Sequence, residues 1–152
     1  MPDHPGLPLK LILDCHELSL SIGGGVAGVK NEADLLSAIG RPFHVLYGNV
    51  PYPTVIDKAG CLLHSLSSCH GFNDGNKRTA WVVSNSFLYV YDYVLDLPDG
   101  YEWYKKLAQM IHEKWDVQDV IAWVKKYAKH DPDGKDQYKF FRLEEVLNHK
   151  ED

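Results

Sequence analysis

The sequence predicts a mainly α domain, a helical bundle carrying a small flap or short hairpin. Three observations predict it. "VIDKAGCLLHSLSSCH" (55–70) sets Ile56, Ala59, Leu63 and Leu66 on one stripe at helical spacing, widened by Leu62 and Cys69. "TAWVVSNSFLYVYDYVL" (79–95) is apolar nearly all round, and its length favours a buried central helix over 75–92 rather than a strand. Capping residues stand at the head of the other apolar-periodic runs.

The elements follow in order. Pro2, Pro5 and Pro8 predict an extended lead-in. "LKLILDCHELSLSI" (9–22) predicts a helix with Leu11, Cys15, Leu18 and Ile22 on its inner face. "GGGVAG" (23–28) predicts a loop, because successive glycines suit neither regular element. "NEADLLSAIGRP" (31–42) predicts a short helix capped by Asn31, with Asp34 reaching back as in a capping box, and ended by Gly40 and Pro42. "FHVLYGNVPYPT" (43–54) predicts an exposed flap, as a loop or irregular hairpin. Asp99 and Glu102 form a further capping pair, before a helix with Tyr104, Leu107, Ala108 and Ile111 on one side. Asp116 caps another, with Val117, Val120, Ile121, Val124 and Ala128 inward. A domain over 1–130 is then followed by a tail, 131–152, in which "KFFRLEEVLNH" predicts a short docking helix.

Composition bounds the function. A chain of 152 residues, 45% apolar and 24% charged, suits one soluble domain whose core needs no disulfide or metal. A formal net charge of −5 argues against general nucleic-acid binding, so Lys77-Arg78 stands out as a local cationic site. Three cysteines without framework spacing suit a reducing compartment. With neither a leader-like segment nor an 18-residue apolar run, the expectation is a cytoplasmic protein with no membrane partner.

The chemistry gathers in "HGFNDGNKR" (70–78). One helix is expected to end near His70 and the next to start near Gly75 or Asn76. A helix N-terminus offers free N–H groups and the positive end of a dipole, and glycines let phosphate approach the backbone. Asn76 adds an amide donor, and Arg78 suits a bidentate clasp on phosphate. Asp74 is a hard oxygen ligand suited to Mg²⁺. His70 alone in the loop takes a proton near neutral pH. Phe72 is expected to point inward and anchor the loop. Base, metal ligand and anion cradle are the parts needed for attack of a hydroxyl on a nucleotide phosphate. The same residues also suit an ordinary helix–loop–helix corner, with the histidine merely favourable at a helix C-terminus.

The nine residues resemble the signature of the Fic/Doc family, H-x-F-x-[D/E/N]-[G/A]-N-[G/K]-R, and the following "TA" resembles its Doc (death-on-curing) toxin branch. "GGGVAGVKNEADLLSAIGRP" is similar to the glycine turn and short helix of Doc-like proteins. The resemblance covers roughly residues 9–128, with the tail outside it. It implies the Fic fold, a helical bundle with a flap that lines up the target, and 43–54 occupies the flap's place. It implies His70 as the base for a Ser, Thr or Tyr hydroxyl, Asp74 as the Mg²⁺ ligand, and Phe72 as a structural anchor. Phosphates of ATP would be held by Asn76, Arg78 and the backbone at Asn73–Gly75.

Lys77 separates the branches. Adenylylating members carry Gly there, which leaves space for a second anion pocket and AMP transfer. Lys adds bulk and a point charge, and Doc-like members are thought to bind ATP reversed and pass on the γ-phosphate. The resemblance therefore implies phosphorylation of a protein substrate, elongation factor Tu being the best-known target class. Adenylyl transfer and a non-catalytic nucleotide- or protein-binding module are the alternatives. The inhibitory pattern [S/T]-x-x-x-E-[G/N] of many Fic proteins has no match in the chain. A separate antitoxin protein is the implied partner, with Glu144 and Glu145 of the tail as a substitute.

Other motifs carry less. "GGGVAGVK" lacks the GK[S/T] ending of a P-loop. "DPDGKDQYKFFR" has Asp136 and Arg142 where an EF-hand needs Gly and Glu. Cys61, His64, Cys69 and His70 have no zinc spacing, and the cysteines are expected as buried core thiols. Tyr89, Tyr91 and Tyr93 are expected as core and cleft wall.

Overall fold

The computed structural model describes residues 7–134. The Pro2 and Pro5 lead-in and the tail helix with Glu144 and Glu145 lie outside them. The chain order is α1 (Leu9–Gly23), α2 (Glu32–Gly40), a 3-10 turn (Arg41–Phe43), α3 (Val55–Ser68), α4 (Asn76–Val90), β1 (Tyr93–Leu95), α5 (Trp103–His112), α6 (Val117–Tyr127) and β2 (Ala128–His130). The mainly α prediction is borne out. α3 lies at the centre, packed on α4 and α6, while α1 lies against α4.

α4 is the buried helix its composition predicts, with Ala80, Trp81, Val82, Val83, Phe87 and Leu88 all inside. Trp81 stacks on Trp103 of α5 at 4.7 Å between ring centroids and 12° between planes. Tyr91 and Tyr93 pack against this core. Beyond α4 the chain turns through Asp92, at φ 68°, into β1. β1 pairs antiparallel with β2, Tyr93 opposite His130 and Leu95 opposite Ala128. Neither strand is predicted from sequence, because three residues are too few for a period of two to show. Ala128, expected inside the last helix, belongs to β2.

Caps set the helix starts. Asn31 accepts the Asp34 N–H at 3.1 Å, as predicted. Its own N–H goes to the Gly71 carbonyl at 3.2 Å, tying α2 to the loop after α3 in place of the expected capping box. Asp116 and Asp119 form a full capping box, and so do Thr54 and Asp57 at the head of α3. Each such cap contributes about 1 kcal/mol. The expected Asp99–Glu102 pair is not formed: Glu102 makes no capping bond and pairs with Lys105 at 2.9 Å on the surface.

Two helix faces differ from the sequence expectation. α1 buries Ile12, Cys15, His16 and Ser19, and leaves Leu11 and Leu18 exposed. Leucines lie on several sides of this helix, so the apolar period does not choose a face. α5 buries Trp103, Tyr104, Leu107 and Met110, and leaves Ala108 and Ile111 exposed. The stack of Trp103 on Trp81 sets that rotation.

α3 and α6 approach closely at Gly60. A Cβ there would stand 2.6 Å from Ile121 Cγ1 and 2.8 Å from its Cα. Gly60→Ala should therefore destabilise by about 1–3 kcal/mol, although alanine favours a helix interior by about 1 kcal/mol. Urea unfolding reads this; an unchanged or higher midpoint would show that the helices part freely. Nearby, His64 Nε2 donates to the Trp115 carbonyl at 3.1 Å, and Nδ1 faces Arg41 Nη1 at 3.4 Å. Burial pushes His64 below the usual histidine range; the Trp115 carbonyl opposes this and Arg41 adds to it. An unfolded histidine takes its proton near pH 6.5, the folded one only at lower pH, so stability is lost as pH falls below about 6.5. The wild-type urea midpoint should drop more between about pH 7 and about pH 5 than that of His64→Gln. Equal drops would clear His64 of this role.

The flap is a tight hairpin. Leu46 and Asn49 exchange backbone hydrogen bonds of 2.9 and 2.8 Å. Tyr47 at φ 51° and Gly48 at φ 78° form the two-residue turn, as type I′ hairpins require. Val45, Leu46, Tyr47 and Val50 are all exposed. Its base is held down by Tyr52, buried and accepting a hydrogen bond from Lys58 Nζ.

Candidate active site

The loop between α3 and α4 is built by glycine geometry and by a second strand of chain. Gly75 caps α4 at φ 79°, a left-handed conformation that suits glycine. It offers no capping side chain, and Thr79 N–H reaches back to the Gly75 carbonyl at 2.9 Å. The N-terminus of α4 thus carries no side-chain cap from its N-cap residue, as suits a helix end that meets an anion. The glycine turn 23–28 lies alongside. Lys30 N–H donates to the Gly71 carbonyl at 2.8 Å, and Asn73 N–H to the Gly28 carbonyl at 3.2 Å. Val29 and Phe72 form an isolated antiparallel bridge.

The structure brings the predicted site residues together in this loop, with different duties for several. His70 is exposed at its start. Phe72 is buried, as expected of an anchor. Asn73 donates its side-chain amide to the Ala27 carbonyl at 3.2 Å. Asp74 accepts the Val26 N–H on Oδ2 at 3.0 Å. Asn76 clamps the loop: Oδ1 accepts Phe72 N–H and Nδ2 donates to the Phe72 carbonyl, both at 3.1 Å. Lys77 is half-buried, with Nζ 5.3 Å from the centroid of the Tyr104 ring.

Arg78 is 0% exposed. Its Nη1 lies 3.5 Å from the Ser19 carbonyl, near the C-terminal end of α1, where the helix dipole favours a cation. The guanidinium fills the space over Gly23, where a Cβ would stand 1.9 Å from Nη1. The guanidinium is turned inward against the end of α1 rather than exposed.

Sequence reasoning missed His16, Gly23 and Tyr104. His16 is buried in α1, and its ring stacks on Phe72 at 3.7 Å and 5°. A carbonyl only accepts, so His16 Nε2 carries the proton of its 2.7 Å bond to the Asp74 carbonyl. The stripe Ile12, His16, Ser19 at helical spacing was the available signal, hidden by its polar members. His16→Leu should leave α1 packed but loosen residues 72–75, raising amide hydrogen exchange there at least tenfold, an effect of about 1.4 kcal/mol for one lost buried bond. Unchanged exchange would reduce His16 to core filler.

The cysteines are as expected: Cys15 and Cys61 are buried and Cys69 half-buried, all free thiols. Burial pushes all three thiols up, away from reactivity. Among the described residues no helix is long and apolar enough to cross a membrane. No three His, Cys, Asp or Glu side chains converge there either. Asp74, whose Oδ2 accepts the Val26 N–H, is the hard oxygen donor in this loop of the kind that Mg²⁺ takes.

The loop thus presents an exposed histidine, a carboxylate and a helix N-terminus without a side-chain cap, a set of groups that suits an anion. The chain belongs to the Fic/DOC family, whose model matches residues 6–88, from α1 nearly to the end of α4. It is similar to a protein named Toxin Doc from Mycolicibacterium smegmatis (strain ATCC 700084 / mc(2)155), 43% identical over 67 residues. That stretch covers 44% of this chain and 52% of the relative, so the chain spans about half the length of the relative it matches. α5 and α6, expected within the resemblance, lie beyond the family match.

Proposed function

We propose that the chain is a Doc-like toxin that transfers the γ-phosphate of ATP to a hydroxyl of a target protein in the cytoplasm. The observation that carries this reading is Lys77, placed in the first turn of α4 where adenylylating relatives carry glycine, and half-buried against Tyr104. Its stem takes up space that a second anion pocket would need.

The open first turn of α4 receives the phosphates, with Asn73 and Asn76 holding the loop and Gly75 letting phosphate approach. Arg78 backs this cradle with a buried positive charge. His70 removes the proton of the attacking hydroxyl. The hydroxyl oxygen bonds to the γ-phosphorus, the bond from that phosphorus to the bridging oxygen breaks, and ADP leaves. Asp74 would hold Mg²⁺, which neutralises charge on the phosphates when bound. The flap hairpin, with its exposed backbone edge and apolar side chains, lines up the target segment.

A translation factor of the elongation factor Tu class is the proposed target, and a separate antitoxin protein the proposed partner. The relative's name, Toxin Doc, supports both the toxin reading and the need for a neutralising partner. Incubation with a lysate and ATP labelled at the α or the γ phosphate tests the reaction. Label from γ alone is expected. Label from α sinks phosphotransfer in favour of adenylyl transfer, and no label, with ATP still bound, points to a binding module.

A further inference from the structure

The geometry points to Tyr104 as a positioning residue: its ring holds Lys77 in one pose beside the anion site, and so shares with Lys77 the choice of transferred group. This rests on the function proposed above, in which Lys77 stands at that choice. Lys77 is the second residue of α4. Side chains on a helix lean toward its N-terminus, here the end that meets the loop. A lysine on its flexible stem otherwise samples many rotamers. Here its Nζ lies over the Tyr104 ring, 5.3 Å from the centroid.

The ring is itself immobilised. Tyr104 is buried in α5 and meets Trp103 edge-on, with centroids 5.5 Å apart and planes at 86°. Trp103 stacks on Trp81, one turn along the helix that carries Lys77. Lys77 and its aromatic partner are therefore referred to the same helix through rigid rings. A cation over an aromatic face is held by the ring quadrupole, which biases its pose by about 2- to 30-fold. Without the ring, the bulk and charge of Lys77 no longer stand in one place.

The test compares wild type, Tyr104→Leu, Tyr104→Phe, Lys77→Gly and Lys77→Met, using α- and γ-labelled ATP with lysate. Tyr104→Leu should raise the α share of transferred label by about 2- to 30-fold, toward that of Lys77→Gly. Tyr104→Phe keeps the ring and should keep label from γ alone. Lys77→Met, at a half-buried position, fills similar space without a charge and should behave like Tyr104→Leu; a wild-type partition in Lys77→Met overturns the role of the ring even where Tyr104→Leu does not fold. An unchanged partition in Tyr104→Leu, with Lys77→Gly shifted, overturns the inference and leaves the proposed function standing. If neither shifts, both the inference and the account of Lys77 fall. If wild type transfers no label, the proposed function falls, and proton NMR still judges the pairing. The Lys77 ε-methylene protons should lie upfield in wild type and Tyr104→Phe, and at ordinary positions in Tyr104→Leu. Ordinary positions in all three overturn it.

Discussion

His70→Ala should abolish phosphotransfer and leave the fold as it is. His70 is exposed at the start of the loop, beyond the last turn of α3, so its removal opens no cavity in the core. Substitutions of that kind change stability by no more than about 0.5 kcal/mol. Its proposed duty is to take the proton of the attacking hydroxyl, and loss of a general base costs about 10²- to 10⁴-fold in rate. Initial rates with γ-labelled ATP, set beside a thermal melt, separate the two effects. A variant that keeps more than about a tenth of the wild-type rate would remove His70 as the base. A fall in melting temperature matching the fall in rate would make it a structural residue.

Gly23→Ala carries the second large expectation, and here the balance is reversed. Gly23 closes α1, and alanine there would gain about 1 kcal/mol of helix propensity. The added Cβ would stand 1.9 Å from Nη1 and 2.4 Å from Cζ of Arg78. One of them must move. A guanidinium at the end of a flexible stem moves more cheaply than a helix backbone, so stability should fall by no more than about 1–3 kcal/mol. The displaced group is the buried positive charge of Arg78, next in the chain to the proposed phosphate site. A misplacement of about 1 Å in a catalytic constellation costs on the order of 10²-fold in rate. Gly23→Ala should therefore keep a cooperative urea transition, lose most of its transfer rate and bind Mg-ATP more weakly. Full activity would show that Arg78 needs no fixed place. Unfolding would show that the contact is structural first.

The two variants mark what is legible in a single chain. His70, Asp74 and Lys77 stand within nine residues, and their chemistry is visible because no apolar period accounts for such a mixture. The buried α4, the Asn31 and Asp116 caps and the flap at 43–54 are legible for the same reason: each is a local pattern with a local cause. The inner faces of α1 and α5 are not. Leucine and alanine positions do not choose a rotation, whereas His16 stacked on Phe72 and Trp103 stacked on Trp81 do. β1 and β2 are lost for want of length, and they pair only because α6 carries Ala128 back beside Leu95.

The duties within the loop divide along the same line. By itself the sequence determined which groups stand in the loop, the helix boundaries on either side and the glycine that starts α4. It determined Lys77 directly before Arg78, the position on which the proposed choice of transferred group rests. Only the tertiary structure decided that Arg78 lies buried over Gly23 and that Asn76 spends its amide on Phe72. It alone set His16 on the Asp74 carbonyl and Lys77 over Tyr104. The reason is physical. Caps and turns are closed by residues three or four apart, so their partners can be read along the chain. A buried charge, a ring stack or a close approach to glycine is completed by residues on another helix. Their meeting is fixed by how whole helices rotate against one another.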